Sequence, residues 1–335
     1  MPLDRRPGAM VDRFGRQITY LRLSVTDRCD LRCTYCMSER MHFAPRAELL
    51  SLEELALVAE EFVRRGVTKI RITGGEPLVR RDVMSLFASL SRHLGTGALD
   101  ELTLTTNGTQ LARYARDLVA CGVARVNVSL DTLDPARYRA VTRFGRIEKV
   151  LAGIDAALAA GLKVKLNALA TRGAFEGEVD DLIRFAHGRG MDLTLIEEMP
   201  LGDGMRDRAE TFLPLTALEA ALSRRWTLTP LTATTGGPAR YLSVAETGGR
   251  LGLISPLSCN FCAACNRLRV SATGMLYPCM GDAGGVDLRP ALCSAPETFG
   301  ARIRAALAGK PKGHRFDAEK LDSPSLARHM SALGG

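Results

Sequence analysis

The sequence predicts an α/β protein that is built on a parallel sheet, either open or curved into a barrel. Two observations carry this prediction. Short β-like segments alternate with amphipathic helical segments over about the first two-thirds of the chain, and five of the β-like segments alternate apolar with polar residues. Six successive β–α alternations are typical of parallel strands joined by crossover helices. The 335 residues leave room for one such domain and an appendage.

The predicted elements follow one another in regular order. Strands are expected at residues 20–25, 69–73, 102–105, 125–130, 164–169 and 193–198, and helices at 51–65, 81–94 and 147–160, among others. Ser51 begins the first helix, since Glu54 follows three residues later in a capping-box pattern. Beyond about Pro214 the alternation gives way to a stretch rich in glycine, proline and threonine, which predicts a C-terminal appendage lying against the sheet.

The strands predict a sheet with one apolar face and one polar face. In the first strand Leu21 and Leu23 share a face, and Arg22 lies on the other. The polar residues of the five strands are Arg22, Ser24, Arg71, Thr73, Thr103, Thr105, Asn127, Ser129, Lys165 and Asn167. Because covered parallel strands and packed barrel interiors are usually apolar, we interpret the pattern as a curved sheet around a polar, partly cationic cavity for an anionic ligand. Edge strands that face solvent are the alternative.

The composition limits the class of protein and its partners. Apolar residues make up 46% and charged residues 24% of the chain, and no apolar stretch approaches membrane-spanning length. Residues 1–16 are basic but lack the apolar segment of a signal peptide, so we expect a cytoplasmic protein without membrane contact. The net charge of +8 favours an anionic partner. Since no lysine-rich block or basic–aromatic interleaving is present, we expect a phosphorylated small molecule rather than a nucleic acid.

The first cysteine group, Cys29, Cys33 and Cys36, directly follows the first predicted strand. Clustered cysteines in a chain without a signal peptide indicate metal binding rather than disulfides. Three thiolates on one short loop can hold three irons of a cubane cluster and leave the fourth iron open. Zinc would prefer four ligands, for which His42 is the one nearby candidate.

A glycine-rich stretch, RITGGEP at residues 71–77, ends the second predicted strand. Gly74 and Gly75 allow another group to approach the backbone closely. Glu76, or a backbone carbonyl, can accept a hydrogen bond from an ammonium group. Taken alone, the stretch would also suit an ordinary turn between a strand and a helix.

The second cysteine group combines Cys259, Cys262 and Cys265, spaced two residues apart, with Cys279. Four such cysteines could close a zinc site or an iron–sulfur cluster. If Cys259 were the fourth ligand, no iron would remain open to another molecule. The other two cysteines, Cys121 and Cys293, are expected to be unliganded.

The first cysteine spacing, with Tyr35 before the last cysteine, and the GGEP stretch resemble the motifs of the radical S-adenosylmethionine (SAM) superfamily. In that superfamily the open iron holds SAM, and reductive cleavage yields a 5′-deoxyadenosyl radical. The stretch FCAACNRLR at 261–269, followed by Cys279, resembles the second cluster site of the GTP 3′,8-cyclases, the MoaA family of molybdenum cofactor biosynthesis. Similar stretches at 105–108, 126–131, 164–167 and 196–199, and the final Gly-Gly, extend this resemblance over nearly the whole chain.

The resemblance implies a fold, an activity and cofactors. The fold is an incomplete (β/α)6 TIM-like barrel at residues 16–230, after an arm at 1–15, closed by a C-terminal region at 231–335 that carries a second cluster. The activity is cyclisation of GTP to (8S)-3′,8-cyclo-7,8-dihydroguanosine 5′-triphosphate, after the radical removes the ribose C3′ hydrogen. The implied cofactors are SAM and two [4Fe-4S] clusters, each ligated by three cysteines.

The resemblance also assigns residues to these ligands, without naming a catalytic side chain. The implied cluster ligands are Cys29, Cys33 and Cys36 for the first cluster and Cys262, Cys265 and Cys279 for the second. The implied SAM contacts are Tyr35, Gly74, Gly75, Glu76, Ser129 and Met199. The implied GTP contacts are Arg22, Arg71, Thr105, Lys165, Arg267, Leu268, Arg269, Gly334 and Gly335. In this assignment Cys259 is not a ligand.

The implied partners are an external electron donor and the cyclic pyranopterin monophosphate synthase that acts on the product, and a homodimer is left open. Two other functions compete with this one. A radical SAM enzyme could use an auxiliary cluster to modify a peptide or another substrate, and a non-catalytic iron–sulfur protein could transfer electrons. The lone set of four cysteines near the end argues against the peptide-modifying enzyme, which usually carries more, and the GGEP stretch and the cationic strand face argue against the electron-transfer protein.

Overall fold

A computed structural model describes residues 10–202, 208–316, 326 and 329–333 of the chain. The six predicted strands are confirmed, with ends that shift by one residue or less. They are β1 Tyr20–Ser24, β2 Lys69–Thr73, β3 Glu101–Thr106, β4 Arg125–Ser129, β5 Lys163–Ala170 and β6 Asp192–Glu197. All five neighbouring pairs are parallel and follow chain order, as β–α alternation requires.

Helices connect these strands and continue into the C-terminal region. The first six are α1 Leu52–Arg64, α2 Val83–Gly95, α3 Leu111–Ala120, α4 Pro135–Thr142, α5 Ile147–Ala159 and α6 Ala174–His187. The later ones are α7 Arg208–Thr211, α8 Leu215–Leu222, α9 Arg289–Cys293, α10 Phe299–Ala308 and α11 Met330–Leu333. The predicted capping box of α1 is present, since Ser51 Oγ accepts from Glu54 N at 3.1 Å and Glu54 Oε2 accepts from Ser51 N at 2.7 Å.

The two faces of the sheet differ as predicted. Leu21, Leu23, Ile70 and Ile72 are fully buried in one apolar core, which also contains Phe62 of α1 and residues of the other helices. Polar residues of the opposite face line a cavity, to which each of β1–β6 contributes. Because six parallel strands surround a single cavity, the sheet curves around it.

The region after residue 214 corrects one prediction. It does not lie against the sheet as an appendage but adds strands to both of its edges. These strands are β7 Leu228–Leu231, β8 Arg240–Val244, β9 Gly249–Ile254, β10 Arg267–Val270, β11 Met275–Tyr277 and β12 Val286–Asp287. The described residues thus form one twelve-stranded sheet, with β9 parallel to β6 and β10 parallel to β1. The added strands satisfy the backbone groups that the edge strands β1 and β6 would leave unpaired.

The loop at residues 232–239, between β7 and β8, covers the amino ends of the central strands. Thr235 O accepts a hydrogen bond from Lys69 Nζ at 2.7 Å, at the first residue of β2. Thr235 and Pro238 also line the cavity, so this loop forms its floor. None of the helices in the described part of the chain is long and apolar enough to span a membrane.

Candidate active site

One cavity of about 320 Å³ brings together most of the residues that the sequence singled out. The predicted residues that line it are Arg22, Cys29, Cys33, Tyr35, Cys36, Arg71, Gly74, Gly75, Thr105, Ser129, Lys165, Met199, Cys262, Cys265, Arg267, Arg269 and Cys279. Two cysteine groups that lie more than 200 residues apart in sequence therefore face the same space.

Four predicted residues, Glu76 among them, do not line the cavity or cannot be placed in it. Leu268 has its side chain in the apolar core, so only its backbone could contact a ligand. Gly334 and Gly335 lie outside the described residues. Leu333, just before them, accepts a hydrogen bond at its carbonyl from Arg269 Nη1 at 3.3 Å.

Glu76 is fully buried and does not line the cavity. Its Oε1 accepts from Leu78 N at 3.0 Å and from Thr106 Oγ1 at 2.8 Å, and its Oε2 accepts from Asn107 N at 2.6 Å. Burial raises the pKa of Glu76 to about 7, although these donors favour the carboxylate. The carboxyl group thus joins the ends of β2 and β3, and its proposed contact with SAM stays a prediction.

The first cysteine loop is held by backbone hydrogen bonds to the end of α4. Thr34 N donates to Val141 O at 2.9 Å, and Arg32 N donates to Thr142 O at 3.1 Å. Burial raises the pKa of the Cys29 thiol to about 12 and that of Cys36 to about 11. Such thiols become ligands when a metal replaces the proton.

The donor set of this loop fits a cubane cluster better than a zinc ion. Within the described ranges, no three His, Cys, Asp or Glu side chains converge closely enough to hold a single metal ion. Zinc needs four ligands about 2.0–2.3 Å from one point, and His42 is exposed and does not line the cavity. A cubane instead offers a separate iron to each thiolate.

Gly74 and Gly75 hold the first cysteine loop through close backbone contact. Gly75 N donates to Thr26 O at 2.8 Å, and Glu76 N donates to Arg28 O at 2.8 Å. A Cβ atom at Gly74 would lie 2.6 Å from Thr26 O, and one at Gly75 would lie 2.6 Å from Asp27 O. The glycines are therefore required because the chain leading into Cys29 packs directly on them.

Replacing Gly75 by alanine should displace the Cys29 loop and lower the iron content of the first cluster severalfold. The added methyl group meets backbone oxygens, which cannot rotate away. Iron analysis after anaerobic reconstitution measures the effect. Gly177→Ala is the matched control, because nothing lies within 4 Å of a Cβ there, inside α6. Equal iron content in the two variants would contradict the role given to Gly75.

A cationic wall forms where β2, β1 and β10 lie side by side. Arg22 is in register with Arg71 on one side and with Arg269 on the other. Neighbouring strands are about 5 Å apart, so the three guanidinium groups face the cavity at one level. Burial, together with the charge of Arg267, lowers the pKa of Arg269 to about 10. Guanidinium groups this close repel one another, and each can donate paired hydrogen bonds to a phosphate, so the wall suits a polyanionic ligand.

Lys165 of β5 also faces the cavity with a buried side chain. Its Nζ donates to Tyr241 Oη at 2.5 Å, and Tyr241 Oη shares a hydrogen bond with Thr235 Oγ1 at 2.9 Å. The nearby charged groups are Arg71, Arg125, Asp192 and Arg250. Burial, followed by the charges of Arg125 and Arg71, lowers the pKa of Lys165 to about 7.

Asp131 is a cavity residue that sequence reasoning did not single out. Its Oδ2 accepts from Tyr35 Oη at 2.8 Å, and its Oδ1 accepts from Leu169 N at 2.8 Å. Asn107, also in the lining, donates from Nδ2 to Asp30 Oδ1 at 2.7 Å and contacts Cys29 Sγ at 3.6 Å. Asn107 and Asp131 lie in the stretches 105–108 and 126–131, which resemble motifs of the family. That resemblance was the signal by which the sequence could have identified them as site residues.

In the second cysteine group, Cys262, Cys265 and Cys279 line the cavity, whereas Cys259 is exposed and does not. Arg16 holds this loop in place, since its Nη1 donates to Cys262 O at 2.8 Å. Burial raises the pKa of Cys265, but the charges of Lys310 and Arg267 outweigh burial and lower it to about 7. Three thiols and nearby cations thus face the ligand space, and an unliganded Cys259 stays a prediction.

Comparison with known proteins identifies the family. Residues 23–186 match the Radical SAM superfamily, and residues 191–316 match Molybdenum Cofactor Synthesis C. The GTP 3′,8-cyclase of Nitrobacter hamburgensis is 58% identical over 97% of this chain and 96% of its own length. The chain belongs to the GTP 3′,8-cyclase family. The Rhizobium meliloti GTP 3′,8-cyclase is 54% identical over 100% of this chain and 97% of its own length.

Solved structures support the radical SAM fold of this GTP 3′,8-cyclase family member. Streptococcus suis SuiB bound to S-adenosylmethionine aligns with a TM-score of 0.63 at 16% identity, covering 95% of this chain and 78% of SuiB. anSMEcpe with bound AdoMet aligns with a TM-score of 0.56 at 18% identity, covering 78% of this chain and 74% of that one. The predicted superfamily, family and fold class are confirmed, and the superfamily implies a [4Fe-4S] cluster and SAM.

Proposed function

We propose that this chain cyclises GTP to (8S)-3′,8-cyclo-7,8-dihydroguanosine 5′-triphosphate, using SAM and two [4Fe-4S] clusters, in molybdenum cofactor biosynthesis. One observation carries the proposal. A single cavity connects two three-cysteine groups with a wall of arginines and Lys165. A radical SAM enzyme that binds a nucleoside triphosphate needs all three parts within reach of one substrate.

Each part of the cavity has a separate task in this proposal. Cys29, Cys33 and Cys36 would hold the first cluster, and Cys262, Cys265 and Cys279 the second. When bound, the first cluster and SAM supply the radical that removes the C3′ hydrogen of GTP. The chain's own residues bind and orient the substrate, and no side chain is assigned as an acid or a base.

The cationic residues would bind the triphosphate and fix the position of the ribose. Arg22, Arg71 and Lys165 lie on the inner strand face, so they offer charge-assisted hydrogen bonds to phosphate oxygens. Arg267 and Arg269 lie next to the second cysteine group and would meet the guanine end. Met330 of α11 lines the same cavity, where its apolar side chain would limit the access of water.

The affinity for GTP should fall as the pH rises above 7, because the lowered pKa of Lys165 leaves it partly neutral in the ligand-free chain. The triphosphate binds the charged form, so the dissociation constant should rise by up to about tenfold per pH unit. Calorimetric titration with GTP between pH 6.5 and pH 8.5 measures this. Lys165→Arg, which stays charged, should lose the dependence, and an unchanged slope in that variant would rule out Lys165 as its source.

Anaerobic reconstitution tests the activity. The chain is supplied with iron, sulfide, SAM, GTP and dithionite, and 5′-deoxyadenosine and cyclised GTP are measured by liquid chromatography and mass spectrometry. We expect both products. Deoxyadenosine without cyclised GTP would overturn the substrate and favour an enzyme acting on a peptide or another molecule. Absence of both would favour an electron-transfer protein. Other expectations stay predictions. These are the external electron donor, the synthase that takes the product, the homodimer, the cytoplasmic location and the division of the chain at residues 15 and 230.

A further inference from the structure

Lys310 is a fully buried lysine behind the second cysteine group. It follows α10, its exposure is 1%, and it does not line the cavity. Its Nζ donates to Cys265 Sγ at 3.5 Å, to Arg267 O at 2.9 Å and to Pro278 O at 2.6 Å. The last contact lies next to Cys279, so one ammonium group joins both segments that carry the cysteines.

The hydrogen bonds of Lys310 indicate that it is charged. An ammonium group has three donors and no acceptor, and three acceptors surround this one. A neutral amine would direct its lone pair at one of them. Lysine is almost never fully buried unless it is paired, and two of its three partners are neutral carbonyls. The third partner is Cys265, which would be a thiolate as a ligand of the proposed second cluster and would then balance the charge of Lys310.

The first cysteine group has a different environment. Cys29 Sγ accepts from two neutral donors, Leu31 N at 3.4 Å and Asn107 Nδ2 at 3.6 Å. An acidic group contacts this sulfur, since Asp30 Oδ1 lies 3.9 Å from Cys29 Sγ, whereas Arg32 Nη1 donates to the Cys29 carbonyl oxygen at 2.7 Å and not to a sulfur. Asp131 adds a second carboxylate through its contact with Tyr35. The two groups thus differ in the sign of the charge nearest to the sulfurs.

We propose that Lys310 raises the reduction potential of the second cluster above that of the first, as a positioning residue that supplies a permanent charge next to Cys265 and Cys279. This inference rests on the second cluster of the proposed function. Adding one electron makes a cluster more negative, and a nearby cation with a hydrogen bond to sulfur stabilises that state. Each cluster takes one electron from the chemical reductant, and Lys310 keeps its protons throughout. The second cluster would therefore be reduced first.

A redox titration followed by electron paramagnetic resonance tests the inference. The reconstituted full chain is compared with K310Q, which removes the charge, K310R, which keeps it, and K312Q, a matched control at an exposed lysine two residues away. The same variants in a C29A/C33A/C36A background isolate the second cluster. We expect K310Q to lower the reduction equilibrium constant of the second cluster at least tenfold, about 59 mV for one electron. The first cluster should not change, and K310R and K312Q should retain most of the wild-type potential.

Three results would overturn the inference. The first is an equal reduction potential of the second cluster in K310Q and the wild type. The second is a shift of the reduction potentials of both clusters together in K310Q. Loss of second-cluster iron in both K310Q and K310R would make Lys310 a structural tether only. A wild-type chain with no signal from a second cluster would overturn the proposed cofactors as well, so failure of the inference and failure of the proposed function give different spectra.

Discussion

Replacing Glu197 by glutamine is expected to remove the second cluster while the first remains. Glu197 ends β6 and is fully buried. Its Oε2 accepts from Leu257 N at 2.9 Å and from Ser258 N at 3.1 Å, just before the second cysteine group. Its Oε1 accepts from Ser258 Oγ and from Leu215 N at 2.9 Å, at the start of α8. One carboxylate thus connects β6 of the central sheet to the segment that follows β9 and leads into the second cysteine group.

A glutamine side chain would direct an NH₂ group at these donors. Leaving buried donors unsatisfied costs about 1–3 kcal/mol each, so the free energy of unfolding should fall by about 3 kcal/mol. Denaturant unfolding and iron analysis measure the two effects. E219Q is the matched control, because it changes a partly exposed carboxylate paired with Arg240 and should cost less than about 1 kcal/mol. Full iron content in E197Q would contradict this role.

Replacing Arg22 by glutamine should weaken GTP turnover and stabilise the ligand-free chain. Arg22 is the central member of the cationic wall, between Arg71 and Arg269. Burial, together with the charge of Arg269, holds the pKa of Arg22 well below its usual value. A hydrogen bond to a charged group contributes about 1.5–3 kcal/mol, so kcat/KM for GTP should fall about 10- to 100-fold. Relieving the repulsion from Arg269 and Arg71 should raise the free energy of unfolding by about 1 kcal/mol.

Steady-state kinetics and denaturant unfolding of R22Q and R139Q separate these effects. Arg139 is exposed on α4, so R139Q removes the same charge away from the cavity and should change neither quantity much. A chain destabilised by R22Q, with turnover unchanged, would mean that Arg22 supports the fold and does not contact the substrate.

Local patterns predicted the central part of the fold and most of the site. The strand ends at Ser24 and Thr73 differ from prediction by one residue or not at all, because alternation of apolar and polar residues depends only on neighbours in sequence. The cysteine spacing and GGEP located the first cysteine loop for the same reason. Arg22, Arg71 and Lys165 followed from strand polarity before any resemblance was considered.

Other features depended on contacts that no local pattern encodes. The strands β9 and β10 each pair with a strand far away in sequence, as Arg22 of β1 pairs with Arg269 of β10. Glu76 looked like a ligand for an ammonium group, but its carboxyl group instead binds the backbone of Asn107 and its neighbours. Lys310 lies in an ordinary KPK stretch, where a surface lysine would be expected.

The sequence by itself determined the family, the six parallel strands and the polar face of the sheet, since each depends on residue type and spacing along the chain. Only the tertiary structure decided that β10 places Arg269 beside Arg22, that three of the four cysteines of the second group face the cavity, and that Lys310 lies behind them. The physical reason is that a buried charge is tolerated only where distant segments supply its partners. Those partners become neighbours only when the C-terminal region completes both edges of the sheet.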